Sequence, residues 1–156
     1  MVTVARIETG DSKITIDEVK SYIHLIGNER DDELQVMLDA AIAAVEDYCN
    51  ISLRPTTWKL SQDLATDNQK LFYPPVIEVV SINDYDGLQL QYKVLQDIVY
   101  IDTASSFICT YKTGEAEDAN RYKAAVLAYT GLLFDGNDDN NSFNIVMSRY
   151  LPYRML

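Results

Sequence analysis

At 156 residues and 17.7 kDa the chain is long enough for one ordinary domain, whose folding removes about 70% of the extended surface from water. A hydrophobic fraction of 47%, a charged fraction of 24%, and only 6 glycines and 4 prolines exclude a disordered, collagen-like or repetitive chain, and no apolar stretch is long enough to span a membrane. The formal net charge of -11, from 13 basic and 24 acidic residues spread along the sequence, repels phosphate and argues against tight tracking of a nucleic-acid backbone.

Residues 1–12 read as an N-terminal arm. Arg6 and Glu8 interrupt it, and it has neither an apolar core nor a small-residue cleavage site, so a chain made and kept in a cytoplasm is expected. Thr15-Ile16-Asp17-Glu18 then has the form of a capping box, with Ile14 and Val19 as the matching hydrophobic staple. Tyr22, Ile23 and Ile26 carry the apolar stripe on to Gly27-Asn28, which places His24 inside the helix. Asp31 or Asp32 caps a longer second helix, in which Leu34, Leu38, Ala41, Val45 and Tyr48 recur at steps of four and three. Asn50 closes it in a left-handed conformation, so residues 13–50 form a helix pair.

The period then changes to two. Thr56, Trp58 and Leu60 alternate with Thr57 and Lys59 after an extended Arg54-Pro55 step. Leu71-Phe72-Tyr73 leads through Pro74-Pro75 into the β-branched run Val76 to Ile82, and Asp86-Gly87 marks a turn before Leu88, Leu90 and Tyr92 on one face. Val99 to Ile101 and Phe107 to Tyr111 read as two further short strands separated by polar loops, making 54–112 a small antiparallel β module. Helical spacing returns at Asp118, giving a packing helix over 118–134 with Tyr122, Val126, Tyr129 and Leu133 on one stripe. Residues 135–142 read as an acidic solvated loop, and 143–156 as a docking segment whose amphipathic part ends at Pro152. The expected fold class is α+β in a single domain: a helical bundle of the N-terminal pair and the alanine-rich C-terminal helix, with the small antiparallel β module inserted.

Residues able to carry chemistry are sparse. Cys49 and Cys109, 60 positions apart, form neither a metal knuckle nor a disulfide framework and read as buried small hydrophobes. His24 stands alone, without a nucleophile elbow or nearby cysteine. Lys112-Thr113-Gly114 resembles one penicillin-binding motif, but no Ser-x-x-Lys accompanies it; the loop from Asp135 lacks the central glycine and closing glutamate of a calcium site. No catalytic, metal or cofactor-binding residue and no cofactor is therefore expected, and the chain reads as no enzyme. Eleven tyrosines point instead to contact surfaces, since tyrosine joins apolar area to a polar tip. No acid follows Asp139, so Arg149, Tyr150, Leu151, Pro152, Tyr153 and Arg154 form a basic, aromatic end on an acidic body, suited to docking on another protein. A second class is an acidic DNA-mimic or regulatory protein-binding module, whose carboxylates would stand in for phosphates.

The order of these parts resembles a family, the head-tail connector (head-completion or neck adaptor) proteins of tailed bacteriophages. The resemblance runs from Ile14-Thr15-Ile16-Asp17-Glu18, through Ala40 to Asn50 and Arg54-Pro55-Thr56-Thr57-Trp58, to Leu71 to Val79 and the ending Leu151-Pro152-Tyr153-Arg154. It implies a structural virion protein that forms a ring with copies of itself, usually twelve, beneath the portal protein. The C-terminal segment would dock to the portal, a stopper or tail-completion protein would sit beyond, and genome DNA would pass through the lumen without specific binding. The same resemblance implies a virion location after assembly in the host cytoplasm, with no membrane partner.

Overall fold

The computed structural model of the chain describes residues 1–116 and 119–151. Its elements are β1 (Val2–Thr9), α1 (Ile16–Ile23), α2 (Asp31–Cys49), β2 (Thr56–Lys70), β3 (Val76–Asn83), β4 (Tyr92–Leu95), β5 (Ile98–Thr113), α3 (Ala119–Phe134) and α4 (Asn140–Tyr150). They divide into two compact units, a sheet unit of Met1–Asp11 with Ile51–Ala116, and a helical unit built from Ser12–Asn50 and the described chain after residue 117. No described helix is long and apolar enough to cross a membrane.

The expected architecture, a helical bundle carrying a small β insert, is corrected here. The sheet has five strands, all pairings antiparallel, in the order β1-β2-β5-β3 with β4 also on β5, and it forms a unit of its own. Three local features enlarge it. Residues 2–9 are a strand, because Val2 and Val4 pack against the core and Arg6 lays its guanidinium 4.8 Å from the Trp58 ring centroid. β2 continues well past Leu60 through a polar stretch, and the segments expected as two short strands are one continuous β5 of 16 residues. The polar middle of β5 is held extended by β2, with Ser105 opposite Thr66, so pairing overrides composition there.

β2 bends sharply. Its register with β5 breaks between Gln62 and Thr66 and again before Asn68, and Gln62 Nε2 donates to Gln69 Oε1 at 3.0 Å although seven positions separate them. The bend brings Val99 and Ile101 of the distal half into one core with Leu60, Leu71, Ile82, Phe107 and Cys109 of the rest. Trp58 stacks on Tyr73 with centroids 4.1 Å apart and rings 1° from parallel. Its indole N–H donates to Thr113 Oγ1 at 2.8 Å, Thr113 donates to Ser52 Oγ at 3.0 Å, and Ser52 to the Arg54 carbonyl at 2.8 Å. The buried polar side chains of Trp58, Thr113 and Ser52 therefore each have a partner, which is the condition for burying them cheaply.

In the helical unit the capping box forms as expected: Glu18 N–H donates to Thr15 Oγ1, and the Glu18 carboxylate accepts from Thr15 N–H. α1 nevertheless stops at Ile23 and not at Gly27. His24 takes the left-handed conformation at φ 59°, one that histidine adopts more readily than most side chains, and Leu25 N–H closes on the Lys20 carbonyl at 2.9 Å. Ile26, placed on the helix stripe by sequence, is 94% exposed as a result. Asn50 ends α2 at φ 53°, as its sequence position predicted. α3 ends in a Schellman motif, Asn137 N–H to the Leu132 carbonyl and Gly136 N–H to the Leu133 carbonyl, with Gly136 at φ 82°. α2 packs on α3, whose Gly131 lets α1 approach so closely that a Cβ there would lie 3.3 Å from Ile23 Cγ2. Ion pairs Lys123 to Glu18 and Lys20 to Asp31 tie α1 to α3 and α2.

Candidate assembly surface

α4 carries the described part of the expected docking segment. It begins at Asn140, inside the stretch expected as loop, because Asp139 caps it: one carboxylate oxygen accepts from Ser142 N–H at 2.7 Å and the other from Ser142 Oγ at 3.1 Å. Those hydrogen bonds hold the Asp139 carboxyl below the usual aspartate range. Phe143 wedges edge-on between Tyr48 of α2, 5.9 Å away, and Tyr129 of α3, 5.1 Å away. Val146 and Met147 are buried behind it.

The six sequence-predicted docking residues fall into four groups. Arg149 projects into solvent from the last turn of α4. Tyr150 is half-buried; burial, then the influence of the Tyr150 hydroxyl, pushes the phenol of Tyr22 on α1 up. Leu151 is 1% exposed and donates its N–H to the Met147 carbonyl at 2.8 Å, so it anchors the segment. Pro152, Tyr153 and Arg154 lie outside the described residues, as does Asp118 at the expected start of α3. The structure thus brings Arg149 and Tyr150 to the end of α1, where Tyr22 is 46% exposed beside an open groove of about 380 Å³ lined also by His24, Phe134 and Asp135. His24 serves there as a helix terminator through its backbone.

Sequence reasoning missed a second set of surface residues. Ile7, Ile77 and Val80 are 57%, 69% and 47% exposed, and each is the extra residue of a β-bulge on an outer strand of the sheet. Ile77 lies over Gly114, whose missing Cβ leaves the space its side chain fills. The signal was present in the sequence: Val76-Ile77-Glu78-Val79-Val80 has more apolar residues than one strand face can bury. Cys49 and Cys109 are buried thiols. Among the described residues no group of three or more histidine, cysteine, aspartate or glutamate side chains could hold a metal ion.

An α+β chain whose conspicuous features are surface residues is a protein of contact surfaces. Residues 13–96, more than half of the chain, match the phage gp6-like head-tail connector proteins, and the chain belongs to that family. The family is one of structural connectors and not an enzyme class. In fold the chain is similar to one in the neck of the empty GTA (gene transfer agent) particle computed with C6 symmetry, with a TM-score of 0.71, 16% identity, and 99% of this chain covering 97% of that one. A chain of the native GTA virion gives 0.68 at 18% identity, covering 99% and 97%, and one in the native neck computed with C12 symmetry gives 0.58 at 16%, covering 96% and 98%. No curated protein matches the sequence.

Proposed function

We propose that this connector forms a homo-oligomeric ring, of twelve copies, beneath the portal protein of a tailed-phage-like particle, with its C-terminal segment on the portal and a stopper or tail-completion protein on the far side. The observation that carries the reading is the family match over residues 13–96, together with the likeness of nearly the whole fold to chains in symmetric neck assemblies. Assembly takes place in the host cytoplasm and the finished protein resides in the virion. The net charge of -11 suits a channel wall, since fixed carboxylates discourage phosphate from adhering and let DNA pass without specific binding.

Native mass spectrometry of the full chain mixed with a cognate portal ring tests this. A closed complex with twelve connector copies is expected, and a portal ring that acquires no connector overturns the reading. Because Leu151 is buried, the clean test of the docking segment is truncation after residue 151 combined with Arg149→Glu. This variant should keep its melting temperature within a few degrees and lose portal binding by at least tenfold; unchanged binding would place the docking surface elsewhere.

A further inference from the structure

The two outer strands of the sheet path, β1 and β3, run in opposite directions, because four antiparallel strands β1-β2-β5-β3 separate one side from the other. A copy placed beside this one by rotation about an axis along the strands therefore brings its β1 against this β3 antiparallel, the same pairing sense used throughout the sheet. An isologous contact of β1 with β1 would need the opposite, two-fold arrangement.

The side chains mark the same two edges. Outer strands of monomers are normally blunted by charges, prolines, bulges or inward-turned residues, since an open edge recruits another chain. Here the bulge residues turned out of the ladder are apolar and β-branched: Ile7 between Arg6 and Glu8 on β1, Ile77 between Val76 and Glu78 and Val80 between Val79 and Ser81 on β3. All three are exposed, and Ile77 leans over Gly114, next to the end of β5, so Ile7 and Val80 are the edge residues that the test uses. Exposed apolar residues on two opposite edges of complementary chain direction fit one occupant, a second copy of this chain.

We propose that the β1 edge of one copy and the β3 edge of the next form a heterologous interface, with Ile7 of one meeting Ile77 and Val80 of the other, so that the sheet units join side by side around the assembly. The proposal rests on the ring reading above and specifies which surfaces close it.

The test uses full-length Ile7→Cys, Val80→Cys and the double variant, treated with a short bis-maleimide under conditions of assembly with the portal ring, with the wild type as control for the buried Cys49 and Cys109. The expected result is dimers from an equal mixture of the two single variants, a ladder beyond dimer from the double variant, and neither from a single variant alone. Dimers from Ile7→Cys alone or from Val80→Cys alone would show like edges meeting and overturn the proposal. Rings seen by native mass spectrometry without any bond between positions 7 and 80 would overturn it while leaving the ring reading standing; absence of rings and of cross-links would end both. As a second readout, Ile7→Asp and Val80→Asp should each reduce assembled rings at least tenfold with the sheet's circular-dichroism signal retained, and unchanged ring yield would also overturn it.

Discussion

Trp58 concentrates the energetics of the sheet unit in one side chain. It is 1% exposed, stacked on Tyr73, and hydrogen-bonded through its indole N–H to Thr113. Trp58→Ala should cost about 3–5 kcal/mol in urea unfolding. Thr113→Val, nearly isosteric, should cost about 1–3 kcal/mol, because it leaves the buried indole N–H without its acceptor. Cys109 gives a pH signature. Burial pushes its thiol up to about 12, whereas the unfolded thiol ionises near pH ~8.5. The folded state thus holds this proton more tightly, so the contribution is complete below about pH 8.5 and is lost as pH rises toward about 12. Urea midpoints should fall from pH 8 to pH 11, and Cys109→Ala should flatten that fall; an equal slope in both proteins would show that Cys109 does not contribute. Tyr111, pushed up by burial as well, adds to the alkaline loss.

Among the elements, the caps at Thr15 and Asn50 were legible, whereas α2 begins on Arg30, with no side-chain cap bond, and not on Asp31 or Asp32 as expected. Thr15 and Asn50 announced themselves because a capping box and a left-handed asparagine are local chemistry. Thr15→Ala should lower stability by about 1 kcal/mol, read by thermal melting. The end of α1 was misplaced because glycine is the stronger sequence signal, while His24 does the terminating three residues earlier. His24→Gly should preserve or raise the melting temperature and His24→Val should cost about 1–2 kcal/mol, since a β-branched residue resists positive φ. Strand lengths were poorly legible for a different reason: Ser61 to Lys70 and Asp102 to Ser106 are mostly polar, and pairs such as Gln69 with Val99 and Thr66 with Ser105 belong to the tertiary fold. β1 had a visible period of two in Val2, Val4 and Arg6, masked because a charged residue interrupts the apolar alternation, although Arg6 covers an aromatic ring. Of the docking segment, the position of Arg149 and Tyr150 at one helix end was legible. The burial of Leu151 was not, because it follows from tertiary packing beyond the last helical turn.

For the whole molecule, the dominant quantity is charge. With -11 on each copy, two copies of the chain repel one another, and this repulsion weakens with salt. Raising monovalent salt from 0.1 M to 1 M shortens the screening length from about 10 Å to about 3 Å, so sedimentation velocity should show more and larger oligomers at high salt. A shift toward monomer would instead mean that opposite charges hold the interface together. The acids that have local work, Asp139 as a helix cap and Glu33 in a two-point pairing with Arg30 Nε and Nη2 at 2.8 Å each, are unsuited to imitating a phosphate backbone.

The interleaving of the two units along the chain bears on how the protein is born. β1 leaves the ribosome ahead of α1 and α2, yet Val4 must wait for Leu60, its partner on β2, to be synthesised. In that interval α1 and α2, whose caps and hydrogen bonds are local, form first, while the opening strand stays an unpaired apolar ribbon. The nascent polypeptide is therefore most vulnerable to mispairing before residue 60 emerges, and slowing translation inside α2 would lengthen that exposure.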